Sequence, residues 1–131
     1  MDLLDRAAAL SACPVIAALS PAAVVALALR AQVVELAGGA PIAVPGESVL
    51  VIADGAIALA DGEIAGPGAA LGLAAAVAGV PPAERGVVRG RVTALAVLRD
   101  ELLDLVAEDP HAVQALTARL AAAVRARADR P

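Results

Sequence analysis

Between Gln32 and Gly68 a turn signal interrupts the chain at intervals of roughly five to nine residues: Gly38-Gly39, Pro45-Gly46, Asp54-Gly55, Asp61-Gly62 and Gly66-Pro67-Gly68. The segments between them are short. Val33-Val34-Glu35-Leu36, Pro41-Ile42-Ala43-Val44 and Val49-Leu50-Val51-Ile52 are rich in β-branched residues, and Ala56-Ile57-Ala58-Leu59 alternates weakly. Asp54-Gly55 and Asp61-Gly62 read as hairpin turns. Several short strands with frequent tight turns predict an antiparallel roll or sandwich for this middle region.

Helical patterns flank it. Asp2 to Ser11 reads as a short helix, and Ser20-Pro21 opens another, with Ser20 as N-cap and Pro21 in the first helical position, running to about Arg30. Ala70 to Val77 is an apolar, helix-like segment closed by Gly79, and Pro81-Pro82 enforces an extended exit. Val87 to Leu98 is extended, with Arg89, Arg91 and Thr93 on one face and Val88, Val92 and Ala94 on the other; the Arg face is expected in solvent. Asp100 to Glu108 and His111 to Ala128 are helical. The last carries Val113, Leu116, Leu120 and Val124 as an apolar stripe, with Arg119, Arg125 and Arg127 toward its C-terminal half, where they complement the helix dipole.

At 131 residues the chain is the size of one domain, able to bury about two thirds of its unfolded surface. Hydrophobic residues make up 60% and none is Phe, Tyr or Trp, so the core must be built from many small contacts among Ala, Val, Leu and Ile. Without aromatic platforms for base stacking, and with a net charge of −4 and a pI near 4.8, nucleic-acid binding has little physical support. All ten basic residues are Arg, a compositional bias from which no function is read. The single Cys13 excludes an internal disulfide and makes the cytoplasm the expected compartment.

No metal site is expected, because His111 is the only histidine and follows Asp109-Pro110 at a helix start. No cofactor is expected either. Two apolar windows, residues 7–29 and 64–83, are long enough to span a bilayer but are broken by Pro14 and Pro21 in the first and by Gly66, Pro67, Gly68, Gly72, Gly79, Pro81 and Pro82 in the second, so membrane insertion is not expected. Leu10-Ser11-Ala12-Cys13 matches a lipoprotein-type cleavage box, but the stretch before it is too short and carries Asp2, Asp5 and Arg6. Ser20, Ser48, Thr93, Thr117, Cys13 and His111 form no nucleophile–base arrangement, and the pairs Asp100-Glu101 and Glu108-Asp109 read as helix-start charges, so the chain is not expected to be an enzyme.

Cys13-Pro14-Val15-Ile16-Ala17-Ala18-Leu19-Ser20-Pro21 resembles the short helical motif that opens cyclic-nucleotide-binding domains. In order after it, Pro45-Gly46-Glu47 resembles the family's Gly-x-x-Gly-Asp loop in shortened form, and Val49 to Gly55 its Leu-Tyr-x-Val-x-x-Gly strand and turn. Gly66-Pro67-Gly68 resembles the turn before the phosphate-binding cassette, and Val92 to Pro110 the last strand and first C-terminal helix. The resemblance covers about residues 8–127 and rests on the shared order of motifs, none diagnostic alone. It implies a single domain over residues 1–131, mainly β with flanking helices. That domain is an antiparallel eight-strand β-roll, or jelly roll, over residues 32–98 with a cassette helix at about 70–78, N-terminal helices over 1–31 and C-terminal helices over 99–131.

In the family the cassette reads Phe-Gly-Glu-Leu-Ala, followed after several residues by Arg-Ser/Thr-Ala; the helix amides and the Arg hold the cyclic phosphate and the Glu accepts from the ribose. Leu71-Gly72-Leu73-Ala74-Ala75 keeps the Gly and places Leu73 at the Glu position, and counting on without a gap places Pro82-Ala83-Glu84 at the Arg segment. The ribose acceptor and the phosphate cation are both replaced. Losing two charge-assisted contacts of roughly 2 kcal/mol each weakens affinity about a thousandfold. The expected function is a cyclic-nucleotide-binding-like regulatory or interaction module with a degenerate nucleotide site. A protein partner or a homodimer would be engaged through the C-terminal helix, by Val113, Leu116, Leu120 and Val124, unless that stripe packs back on the roll.

The alternative is a sensor of cyclic AMP, cyclic GMP or another small, even apolar, ligand, held by Gly72, Leu73, Ala74, Pro82 and Ala83 with a displaced Arg85; cyclic nucleotide is the less favoured partner. Relatives that bind DNA carry a helix-turn-helix after the final helix, a segment these residues do not contain.

Overall fold

The computed structural model describes residues 1–129, the side chain of Arg127 excepted. Its course follows from how each apolar run finds cover. Helix α1 (Leu3–Ser11) starts in a capping box, Asp2 accepting from the Asp5 amide and Asp5 from that of Asp2. A single turn, α2 (Pro14–Ala17), follows, and α3 (Pro21–Arg30) begins where the Ser20 hydroxyl accepts from the Ala23 amide at 3.2 Å. Strands β1 (Gln32–Leu36), β2 (Pro41–Ala43), β3 (Ser48–Leu59), β4 (Ile64–Ala65) and β5 (Ala70–Leu71) lead to the cassette helix α4 (Leu73–Ala78). Strand β6 (Arg85–Leu98) and helices α5 (Arg99–Ala107) and α6 (Pro110–Ala128) complete the order.

The two long strands each serve two layers. The first half of β3 pairs with β5 and with the second half of β6, which in turn pairs with β1; the second half of β3 pairs with β4 and with the first half of β6, which pairs with β2. All pairings are antiparallel. Six continuous strands thus supply the eight segments of the expected roll.

The corner between the layers is Asp54-Gly55, and here the sequence reading is corrected: the pair makes no hairpin. Strand β3 runs through it and keeps β6 as its partner on both sides, with register shifts between Ile52 and Asp54 and between Asp54 and Ala56. A β-bulge bends the strand. Gly55 sits at φ +89°, and a Cβ there would run into the carbonyl oxygen of Arg91 and, at 2.8 Å, a methyl of Val92, so only glycine fits. Asp61-Gly62 does close a hairpin, β3 to β4, as expected.

Alternation along β3 feeds two cores. Leu50, Ile52 and Ile57 point into the roll with Val88, Val92 and Ala94; Val49 and Val51 point the other way, under the helices, with Leu95 and Val97. Both faces are covered, which is why Val49 to Ile52 reads as an unbroken apolar run. The helix-facing core joins α1, α2 and α3 to α4, α5 and α6 through Leu10, Ile16, Leu27, Leu73, Leu102 and Leu116. As expected, Val88, Val92 and Ala94 are buried while Arg89 and Arg91 are exposed. Among the described residues no helix is long and apolar enough to cross a membrane.

Helix α6 places the predicted stripe unevenly. Asp109 caps it, accepting from the amides of His111 and Ala112, and among its described side chains the buried ones are Ala112 and Leu116, at 0% and 9% exposure. Leu120 packs partly against the core. Val113 and Val124 are exposed, Val124 at 67%.

Candidate functional site

At the entry to the cassette helix the chain passes from the roll interior to the helix-facing core across one residue. Leu71, at the end of β5, belongs to the roll interior, and Leu73, at the start of α4, to the helix-facing core. Gly72 between them turns the chain at φ +89° and is the N-cap of α4 without offering a side chain to cap it. The cassette helix therefore starts at Leu73, not at about residue 70. Ala70 and Leu71 are taken into β5 because Leu50 and Val51 of β3 pair with them, a tertiary preference that a short apolar run does not reveal. The expected C-terminal stop is in place, Gly79 at φ +71°.

Glu84 supplies the missing cap. Its carboxylate accepts from the Gly72 amide through both oxygens, Oε1 at 3.0 Å and Oε2 at 3.1 Å. This is a charge-assisted contact in a partly buried setting, closing a loop from the end of α4 back to its start. The sequence places Glu84 near the cassette as an added anion but does not mark it as a site residue. Its signal is an acid two residues after the Pro81-Pro82 exit, where counting along the cassette places a small residue.

Beside this contact lies an open cleft of about 480 Å³, lined by Ala74, Ala75 and Ala78 of α4, by Ala83, Glu84 and Arg85, and by the Leu59–Asp61 turn. Of the expected ligand residues, Ala74, Ala83 and Arg85 meet at this cleft. Leu73 does not: it is 3% exposed and packs in the core with Ala76, Leu102 and Val106. Pro82 is half-buried outside the lining. Arg85 is exposed at the start of β6, and its Nη1 donates to the Glu84 carbonyl at 3.0 Å.

Two carboxylates, Asp61 and Glu84, and one guanidinium, Arg85, line the cleft, a formal excess of one negative charge that works against an anionic guest. Its remaining walls are alanines with Leu59, Val80 and Pro81. Among the described residues no group of three or more His, Cys, Asp or Glu side chains could hold a metal ion.

No protein-family model matches the sequence, and no curated protein does. Solved structures do match. The sensor domain of the transcriptional regulator DNR from Pseudomonas aeruginosa superposes with a TM-score of 0.76 at 16% identity, over 95% of this chain and 91% of that one. The regulatory domain of Toxoplasma gondii PKA, crystallised with cAMP, gives 0.68 at 18% identity over 79% of this chain and 44% of its own. The chain has the cyclic-nucleotide-binding-domain fold. Thermus thermophilus catabolite activator protein shares it, with a TM-score of 0.68 at 23% identity over 87% of this chain. This cyclic-nucleotide-binding fold spans 44% of the Toxoplasma chain and 59% of the Thermus protein.

Proposed function

We propose that the chain is a regulatory or interaction module of the cytoplasm whose cassette does not take cyclic nucleotide and whose output is contact with a protein. The observation that carries this reading is the state of the cassette. The position that would accept from a ribose is Leu73, turned into the core, and the Gly72 amide at the head of α4 is already donated to Glu84. A cyclic phosphate entering here meets the Glu84 carboxylate on the Gly72 amide, and Pro82 stands where the family offers a guanidinium. The C-terminal helix supports the second half of the reading. Its last turns, residues 121–126, are exposed, and Val113 and Val124 leave apolar surface for a protein partner or a second copy, while Leu116 is committed to the fold.

Calorimetric titration with cyclic AMP and with cyclic GMP, each to millimolar concentration, tests the reading; the chain has no Trp or Tyr for a fluorescence assay. Absence of heat from a folded sample is the expected result. Micromolar binding abolished by Arg85→Ala overturns it and makes the chain a sensor with a displaced phosphate arginine, a second reading favoured by the position of Arg85 on the cleft wall.

A further inference from the structure

The structure pairs the head of the cassette helix with an anion from its own chain, and what lies beneath that helix gives the pairing a consequence. Helix α4 is only 6 residues long, too short to hold itself in place. It is fixed on its buried side by Leu73 and Ala76, which share a core with Leu102 and Val106 of α5 and with Ala112 and Leu116 of α6. At its head it is fixed by the Glu84 carboxylate on the Gly72 amide. The roll holds it at the head, where Leu71 pairs with Leu50 of β3 and a Cβ on Gly72 would stand 3.0 Å from a Val44 methyl, while no residue of α4 itself enters the roll interior.

We propose that Glu84 is a built-in ligand of the cassette: by binding the Gly72 amide it holds α4 against α5 and so sets the position of the two C-terminal helices without any bound small molecule. The loop over residues 79–84 is the strap, and its Pro81-Pro82 pair, with both φ angles restricted, limits the conformations from which Glu84 can reach back. The strap is a switch element. A partner that draws Glu84 off Gly72 frees the head of α4, and α5 and α6 respond because they share its core. The inference rests on the reading of the cassette as closed to nucleotide, but its test does not use nucleotide.

The test is a pair of substitutions in the full chain, Glu84→Ala and Glu84→Gln, followed by amide exchange and by ¹⁵N–¹H correlation spectra. In Glu84→Ala the Gly72 amide is expected to exchange about tenfold faster or more, the loss of one charge-assisted hydrogen bond. The chemical-shift changes are expected to spread through α4 to Leu102 and Val106 while Ile52 and Ile57 in the roll stay in place. Glu84→Gln keeps an acceptor of the same reach without the charge, so it should give a smaller change over the same residues, and it decides the matter should the alanine variant unfold. Shift changes confined to Gly72 and residues 79–86, with α5 unmoved, would reduce Glu84 to a local cap and overturn the proposal. A Gly72 amide that exchanges in both variants at the rate of the unsubstituted chain overturns it as well. Calorimetric binding of cyclic AMP to the unsubstituted chain would overturn the proposed function instead, leaving the strap to be judged on its own spectra.

Discussion

The two cores of this small domain are built from the same strand and behave as different materials. The roll interior is closed on itself: Ile52, Ile57 and Val92 are fully buried, and no residue of α4, α5 or α6 belongs to it. The helix-facing core is an assembly of separate elements, in which α4, α5 and α6 meet α1, α2 and α3 over Val49, Val51, Leu95 and Val97. The first is tied together by strand pairing; the helices of the second are tied by side-chain packing and a few polar contacts, Arg6 to the Ala28 and Ala31 carbonyls and Arg30 to Glu101. The cassette belongs mechanically to the second. A change at the head of α4 should therefore pass to the C-terminal helices and leave the roll untouched.

The largest effect is expected at the corner that makes the roll. Gly55→Val places a β-branched side chain at φ +89° against the Arg91 carbonyl, and the variant should lose about 4 kcal/mol or more, or fail to fold, in urea denaturation. A variant that melts like the parent would show that β3 does not turn there. Next come two matched truncations, Ile57→Ala in the roll and Leu102→Ala under the helices, both fully or nearly fully buried and each expected to cost about 2–5 kcal/mol. They should differ in reach. Leu102→Ala should speed amide exchange in α4 beyond the global loss of stability, whereas Ile57→Ala should not; equal behaviour of α4 in the two variants would erase the distinction between the cores.

Ser20→Ala removes a cap from α3, and about 1 kcal/mol of stability with it, by thermal or urea denaturation. The smallest effect on the isolated fold belongs to Val124→Glu, which should change stability by less than about 0.5 kcal/mol, since the side chain is 67% exposed. If α6 joins two copies, the same substitution lowers the sedimentation coefficient toward that of a monomer; an unchanged coefficient removes Val124 from any self-association surface.

Much of the frame is legible in the residues themselves. Ser20-Pro21 and Gly79 mark helix ends by local chemistry, and the Asp61-Gly62 hairpin is set by the turn. The misreadings arise where the deciding partner lies far off in sequence. Asp54-Gly55 has the same local signature for a hairpin and for a bulge, and only the continued pairing of Ala56 and Ile57 with β6 separates the two. Ala70 and Leu71 become a strand because Leu50 and Val51 lie alongside. On α6 the large residues outline a stripe, but in a chain without aromatic residues Ala also serves as core, and Ala112 at 0% exposure turns the buried face away from Val113 and Val124. In the cassette the replaced residues at Leu73 and Pro82 could be read from spacing, while Glu84 could not, because its hydrogen bond is made to an amide 12 residues earlier by a loop whose path no local pattern specifies.

The Gly72 amide is the point at which the whole account can be tested. In a ¹⁵N–¹H spectrum of the unsubstituted chain, the account expects this resonance to be protected from exchange and to stay fixed as cyclic AMP is raised to millimolar concentration. A saturable movement of the Gly72 resonance, with Arg85 moving alongside it, would contradict the account and show that the cassette exchanges Glu84 for a nucleotide.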